Sequence, residues 1–204
     1  MSSSESNPKS NSEPEKSFSD LSESDGHLRE HRTSSEDVYL GKFLHLKKDI
    51  VQLPDGNTTY REYLIHPGAV AIMPILNDGR ILLERQFRYP VDAAMIEIPA
   101  GKLELGEDPL LCAQRELLEE TGYSAKSWEF LGRIHPVISY STEIIDIYLA
   151  KDLTLGERAL DEGEFLDVFA ASLDEMHEWI ASGKITDVKT IISVYHLARR
   201  LKKL

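Results

Sequence analysis

The stretch Gly101–Tyr123, GKLELGEDPLLCAQRELLEETGY, constrains this 204-residue chain more than any other. Glu107 or Asp108 opens a helix there, Pro109 suits its first turn, and Gly122 suits its C-terminal stop. The spacing therefore predicts a helix running to Thr121. At about 100° per residue, Glu116 and Glu120 lie one turn and ~40° apart, with Glu119 ~60° to the other side of Glu116. The three make an acidic wedge. Leu110, Leu111, Ala113, Leu117 and Leu118 take the adjacent side and are expected to pack on a sheet. Glu116 stacked over Glu120 is repulsive. Arg115 is one group that would compensate; hard divalent cations are the other. Carboxylate oxygens suit Mg²⁺ or Mn²⁺, and two such ions can clamp a diphosphate, activate water and neutralise a leaving oxygen. The bland alternative is an exposed glutamate-rich helix, which does not account for Gly101, Glu107, the Arg-Glu pair and Gly122 together.

The rest of the chain supplies strands for that helix. Met1 to about Asp37 is rich in Ser, Glu and Asn, with nine acidic residues against four basic. Such a stretch buries too little to offset its ordering entropy, so residues 1–37 read as a disordered Ser/Glu-rich tail, and residues 38–204 as one domain. Within it, Lys42–Gln52 and Thr58–Ile65 read as a hairpin about the turn Pro54-Asp55-Gly56-Asn57, giving an N-terminal hairpin region at 38–66. Ala69–Leu76 reads as a buried strand, and Asn77-Asp78-Gly79 as a turn. Further strands are expected at Arg80–Phe87, Met95–Ile98, Trp128–Ile134, Ile144–Ala150 and Glu164–Ala171. Ser172 caps a helix through about Ala181, ended by Gly183, and Thr186 or Asp187 caps a last helix through Arg200. Mixed strands with segregated helices indicate an α+β, layered αβα domain.

Composition removes several functions. The net charge of −12 argues against holding nucleic acid on a basic surface. It does not exclude an anionic substrate, since a divalent metal reverses the local sign. No apolar run approaches a membrane span. The single cysteine, Cys112, forms no internal disulfide and reads as a buried helix residue, so a cytoplasmic location is expected. Trp128 and Trp179 read as core or interface residues.

Gly101, Glu107, Arg115, Glu116, Leu117, Glu119, Glu120 and Gly122 match the pattern Gx5Ex7REUxEExGU, where U is apolar, and Tyr123 fills the last position with an aromatic. The chain thus resembles the Nudix hydrolases. That resemblance implies the Nudix αβα sandwich with a mixed sheet and hydrolysis of a nucleoside diphosphate linked to another group. Leu83-Glu84-Arg85-Gln86-Phe87-Arg88-Tyr89-Pro90, Glu97-Ile98-Pro99-Ala100-Gly101 and Gly183-Lys184-Ile185-Thr186-Asp187 are similar to the ADP-ribose pyrophosphatase branch. So is Arg61-Glu62 before His66-Pro67-Gly68-Ala69-Val70.

Carried over residue by residue, the resemblance implies that Glu116, Glu120 and the Ala100 carbonyl hold Mg²⁺ or Mn²⁺. Glu119 lines the same site, Arg115 orients the glutamates, and Glu107 supports the loop–helix junction. Gly101 lets the loop pass close to the metals. In the acidic loop Leu160-Asp161-Glu162-Gly163-Glu164-Phe165, Glu162 is the general base and Glu164 a further metal ligand, or the reverse. Arg88 clamps the diphosphate, Arg61 makes a base or phosphate contact, and Glu143 reaches a ribose hydroxyl. One segment departs from the branch: Val137-Ile138-Ser139-Tyr140-Ser141-Thr142-Glu143 lacks the Ser-Pro-Gly common there, with its proline earlier, at Pro136. The implied reaction is hydrolysis of an ADP-sugar, ADP-ribose first, to AMP and ribose 5-phosphate. The alternatives are another nucleoside diphosphate sugar such as GDP-mannose, or an inactive nucleotide-binding module. Related members exchange N-terminal strands, which implies a homodimer.

Overall fold

The computed structural model describes residues 25–160 and 163–202. Ten strands and three α-helices follow in the order β1 (His31–Leu40), β2 (His45–Gln52), β3 (Thr58–Ile65), β4 (Ala69–Pro74), β5 (Ile81–Arg88), β6 (Ala93–Glu97), β7 (Ala100–Lys102), α1 (Pro109–Thr121), β8 (Tyr123–Ile134), β9 (Ile145–Leu155), β10 (Leu166–Ala171), α2 (Leu173–Ala181) and α3 (Val188–Arg200). Three sheets result, ordered β1-β2-β3, β10-β5-β6 and β7-β4-β9-β8. Pairing is antiparallel except between β4 and β9, so the α+β class with a mixed sheet holds.

β4 explains the layering. It is an uninterrupted apolar run, as a strand covered on both faces must be. Val70 and Ile72 pack with Cys112, Ala113 and Leu117 of α1. Ala71 and Met73 point the other way, into a core shared with Ile147, Val194 and Leu197. The central sheet is therefore sandwiched between α1 and α3.

The helix ends follow local chemistry. Asp108 caps α1, its Oδ1 accepting from Leu110 N at 2.9 Å and Leu111 N at 3.1 Å. Gly122 ends it with φ 77°, a left-handed turn that a Cβ would disfavour. Ser172 and Glu175 form a reciprocal capping box on α2. Asp187, rather than Thr186, caps α3.

Three expectations change. The tail expected through Asp37 overlaps β1, which begins at His31 and pairs with β2. β1 is exposed along its whole length, held by the ladder and by links such as Asp37 to His45 (2.6 Å) and Lys47 (3.0 Å). Composition therefore gave no apolar signal for it. Residues 1–24 of that tail lie outside the described residues. Second, β7 is a three-residue strand too short to be read from periodicity, yet it registers Ala100 and Gly101 against Ala71 and Val70. Third, not all the leucines of α1 face the sheet. Leu111 and Leu118 are 60% and 40% exposed. The buried face is Cys112, Ala113, Leu117, Glu120 and Thr121, so it takes in part of the acidic wedge.

This packing separates two leucines of one helix. Leu117→Ala should cost about 2–5 kcal/mol of unfolding free energy, and Leu111→Ala less than about 0.5 kcal/mol. Urea denaturation reads both, and equal losses would contradict the face assigned to α1.

Candidate active site

α1, β5, β7 and the segment before β10 converge on a group of carboxylates. Glu120 is 4% exposed, and its Oε2 accepts the Ala100 N–H at 3.1 Å. It has no cationic partner among the described residues. Burial first, then the charges of Glu84, Glu116 and Glu164, push its carboxyl above the usual range. Glu116 is also pushed up, by burial, although Arg115 opposes the shift.

Arg115 organises the outer side of the wedge. Its Nε and Nη2 donate to Glu107 at 3.0 and 3.1 Å, and its Nη1 to Glu116 at 2.8 Å and Glu119 at 3.0 Å. Glu107 also accepts the Glu104 N–H at 2.9 Å, which ties the loop to the helix. The Arg115 hydrogen bonds hold its carboxyl well below the usual range, at about 2. Cys112 lies fully buried beneath, its thiol pushed up to about 12 by burial and by its contact with Glu107, which leaves it a poor nucleophile.

Gly101 is required by space and not by its backbone angle. A Cβ there would stand 1.9 Å from Glu116 Cδ. A side chain at 101 would displace the Glu116 carboxylate from where it now sits.

β5 brings further groups. Alternation puts Leu82, Glu84, Gln86 and Arg88 on one face. Gln86 donates to Glu164 at 3.2 Å, which places Glu164 beside the wedge. Arg88 donates Nε and Nη2 to Glu97 at 2.7 and 2.9 Å, while its Nη1 makes no hydrogen bond among the described residues. Glu97, buried on β6, also meets Lys189 at the start of α3. Burial works to raise the Glu97 carboxyl, but Arg88 and Lys189 outweigh it and hold it low. Lys189 contacts the cap residue Asp187 at 3.1 Å as well. Sequence reasoning missed Glu84, Glu97 and Lys189 as site components. The detectable signal was a glutamate on the same parity as Leu82, directly after the apolar run at 81–83.

A cleft of about 300 Å³ opens next to this group, lined by His66, Ala100, Gly101, Lys102, Glu143 and Lys189 among others. Glu143 thus stands at the cleft, 3.9 Å from His66 Nε2. His66 Nδ1 accepts the Gly68 N–H at 3.1 Å, so the neutral ring carries its proton on Nε2. Burial keeps His66 below its usual range, against the pull of Glu143. The departing loop is anchored to β3, with Leu64 N to Tyr140 O and Thr142 N to Leu64 O both 2.9 Å.

One candidate is not brought to this group. Arg61 on β3 donates to Glu30 at 3.0 Å, in the N-terminal sheet. Glu162 lies outside the described residues. Among the described residues no three acidic, histidine or cysteine side chains already converge as a metal-binding group. Arg115 draws Glu116 Oε1, and the Ala100 N–H draws Glu120 Oε2. The donor chemistry nevertheless suits a hard divalent cation: buried carboxylates, one of whose oxygens, Glu84 Oε1, has no hydrogen-bond partner.

The chain is similar to known proteins over most of its length. The NUDIX domain family matches residues 65–191, and the family described as nucleoside diphosphate sugar hydrolase N-terminal domain matches residues 30–64. A "Methanol dehydrogenase activator" of Bacillus methanolicus is 43% identical over 175 residues, 84% of this chain and 95% of that protein. An "ADP-ribose pyrophosphatase" of Bacillus subtilis (strain 168) is 38% identical over 172 residues, 83% of this chain and 93% of that protein. A crystal structure of an "ADP compounds hydrolase" superimposes with a TM-score of 0.78 at 22% identity, over 87% of this chain and 98% of the other, and so shares the fold.

Two outcomes follow from the site. In Gly101→Ala, Glu116 must swing from Arg115, because the clash falls on a flexible side chain. The melting temperature should stay nearly constant while affinity for Mn²⁺ falls about tenfold; unchanged affinity would contradict the packing argument. The second is pH dependence in chelator. Folded Glu120 and Glu84 hold protons above the range in which the unfolded chain releases them, about pH 4.3. From about pH 5 upward the folded state therefore binds more protons, and stability falls as pH rises. Glu107, shifted down, acts in the opposite sense, and only below that window. Wild type should lose melting temperature between about pH 5 and 8 more steeply than Glu120→Gln; parallel profiles would contradict the burial argument.

Proposed function

The chain belongs to the NUDIX domain family, and from that premise we propose that it hydrolyses the diphosphate bond of an ADP-sugar, with ADP-ribose as substrate and AMP and ribose 5-phosphate as products. The observation that carries this reading is buried Glu120, held by the Ala100 N–H and acted on by the charges of Glu116 and Glu164, next to the cleft lined by Ala100, Gly101 and Glu143. The N-terminal family match and the Bacillus subtilis relative support the nucleotide-sugar class.

Glu116, Glu120, Glu164 and the Ala100 carbonyl would hold Mg²⁺, or Mn²⁺, which when bound neutralises diphosphate charge and acidifies a bound water. Glu162 takes a proton from the attacking water. That water oxygen bonds to one phosphorus, and the bridging oxygen leaves with the other. Glu119 lines the site. Arg115 holds Glu116 and Glu119 in place through the links described above. Arg88, already oriented by Glu97, offers its free Nη1 edge to a diphosphate oxygen. Glu143 accepts from a ribose hydroxyl at the far side of the cleft. Arg61 serves the substrate from the N-terminal sheet.

The reading includes a homodimer that exchanges N-terminal strands. It is supported by the apolar side chains left exposed in and beside that sheet, such as Tyr39, Leu40, Phe43 and Tyr60. It also includes a cytoplasmic location, supported by the single unpaired cysteine. No helix among the described residues is long and apolar enough to cross a membrane.

A substrate panel with Mg²⁺ tests the proposal, using ADP-ribose, ADP-glucose, GDP-mannose, NADH and a nucleoside triphosphate. AMP should be released fastest from ADP-ribose, and Glu120→Gln should lower that rate by about two orders of magnitude or more. Preference for GDP-mannose would keep the chemistry and replace the substrate. No turnover by the folded, metal-supplied protein would leave a nucleotide-binding module.

A further inference from the structure

Glu84 has no role in the reading above, yet it is a buried carboxylate without an ion pair among the described residues. It sits inside β5, where the preceding residues Ile81, Leu82 and Leu83 are core, and it is 3% exposed. Its Oε1 is buried without a hydrogen-bond partner among the described residues. Strand pairing places Glu97 directly opposite it on β6 and Val168 on β10. Glu97 is paired with Arg88 and Lys189, neither of which makes an ion pair with Glu84. By strand alternation Glu84 shares a face with Gln86, which holds Glu164, and with Leu82, which packs in the core beneath α1. Among the charges acting on Glu120, that of Glu84 ranks first. A carboxylate in this position faces Glu120 and Glu164 from the sheet side, with no bonded arginine or lysine.

An apolar residue would fill such a place more stably, since a buried charge needs a partner. No ion pair joins Glu84 among the described residues: Arg158 and Lys189 ease its charge only through space, and Glu164 and Glu97 oppose it more strongly. We propose that Glu84 is a further ligand of the divalent cation site, contributed by the sheet beneath Glu120 and Glu164. This rests on the metal-dependent reading given above. It extends the ligand set from the helix and its loop to the floor of the site. A carboxylate added from β5 raises the negative charge around a hard cation and so favours tighter binding.

The rival account is a carboxylic acid that merely shares a proton with Glu120. Glutamine mimics that neutral acid but is a poor ligand for a hard cation, so Glu84→Gln separates the two. Mn²⁺ titration of the purified full chain, by calorimetry and by the paramagnetic signal of free Mn²⁺, gives affinity and stoichiometry without substrate. Loss of about tenfold or more in affinity, or of one bound ion, is expected. The rise in melting temperature on adding Mn²⁺ should shrink with it, while stability in chelator is maintained or increased. Glu84→Asp, which keeps the charge but retracts it, serves as second variant and should weaken binding to a lesser degree. Wild-type affinity and stoichiometry in both variants would overturn the proposal and leave the catalytic reading intact. Absence of Mn²⁺ binding by the wild-type protein would overturn the metal-dependent reading itself, and this inference with it.

Discussion

The structure turns on one uncomfortable contact: Glu120 buried at the seam between α1 and the central sheet, held by a single backbone N–H from Ala100. Burial of a carboxylate normally requires an opposite charge. Here Arg115, the obvious donor, is committed to Glu107, Glu116 and Glu119 on the outer side of the helix. The fold thus divides the wedge in two. The outer part shares one arginine, and the inner part has no ion pair among the described residues. A helix designed for stability alone would place leucine where Glu120 stands.

The surrounding elements make sense as supports for that seam. β7 is three residues long, but its pairing with β4 fixes Ala100 and Gly101 against the helix. Gly101 supplies the space in which Glu116 sits. The two cores on either face of β4 hold α1 and α3 in register with the sheet. Lys189 and Asp187, at the start of α3, then reach the Arg88–Glu97 pair from the opposite layer. The cleft beside the carboxylates is bounded by residues from β4, β7, the loop before β9 and α3, so its shape depends on all layers at once.

Much of this was legible in the sequence. The helix ends at Gly122 and Ser172 were readable as local chemistry, and the caps Asp108 and Asp187 were each readable to one of two adjacent residues. Arg115 lay four residues from Glu119, a spacing at which helical side chains pair, whereas its role as organiser came with the family resemblance. Other features depended on pairing across long sequence separations. β1 carries no apolar periodicity, and β7 is too short to carry any. Glu84 and Glu97 lie thirteen residues apart and become neighbours only through the register of β5 with β6. The contact of Lys189 with Glu97 spans 92 positions. Leu111 and Leu118 were misjudged because glutamate, not leucine, occupies part of the buried face of α1.

The central claim is that the inward carboxylates form a cation site and not merely a strained core. Anomalous diffraction from crystals soaked in Mn²⁺ addresses it most directly. The account predicts a peak bounded by the carboxylates of Glu116 and Glu120 and the carbonyl of Ala100. A fully soaked crystal with no peak there, or with Mn²⁺ bound only to exposed acids elsewhere, would contradict it.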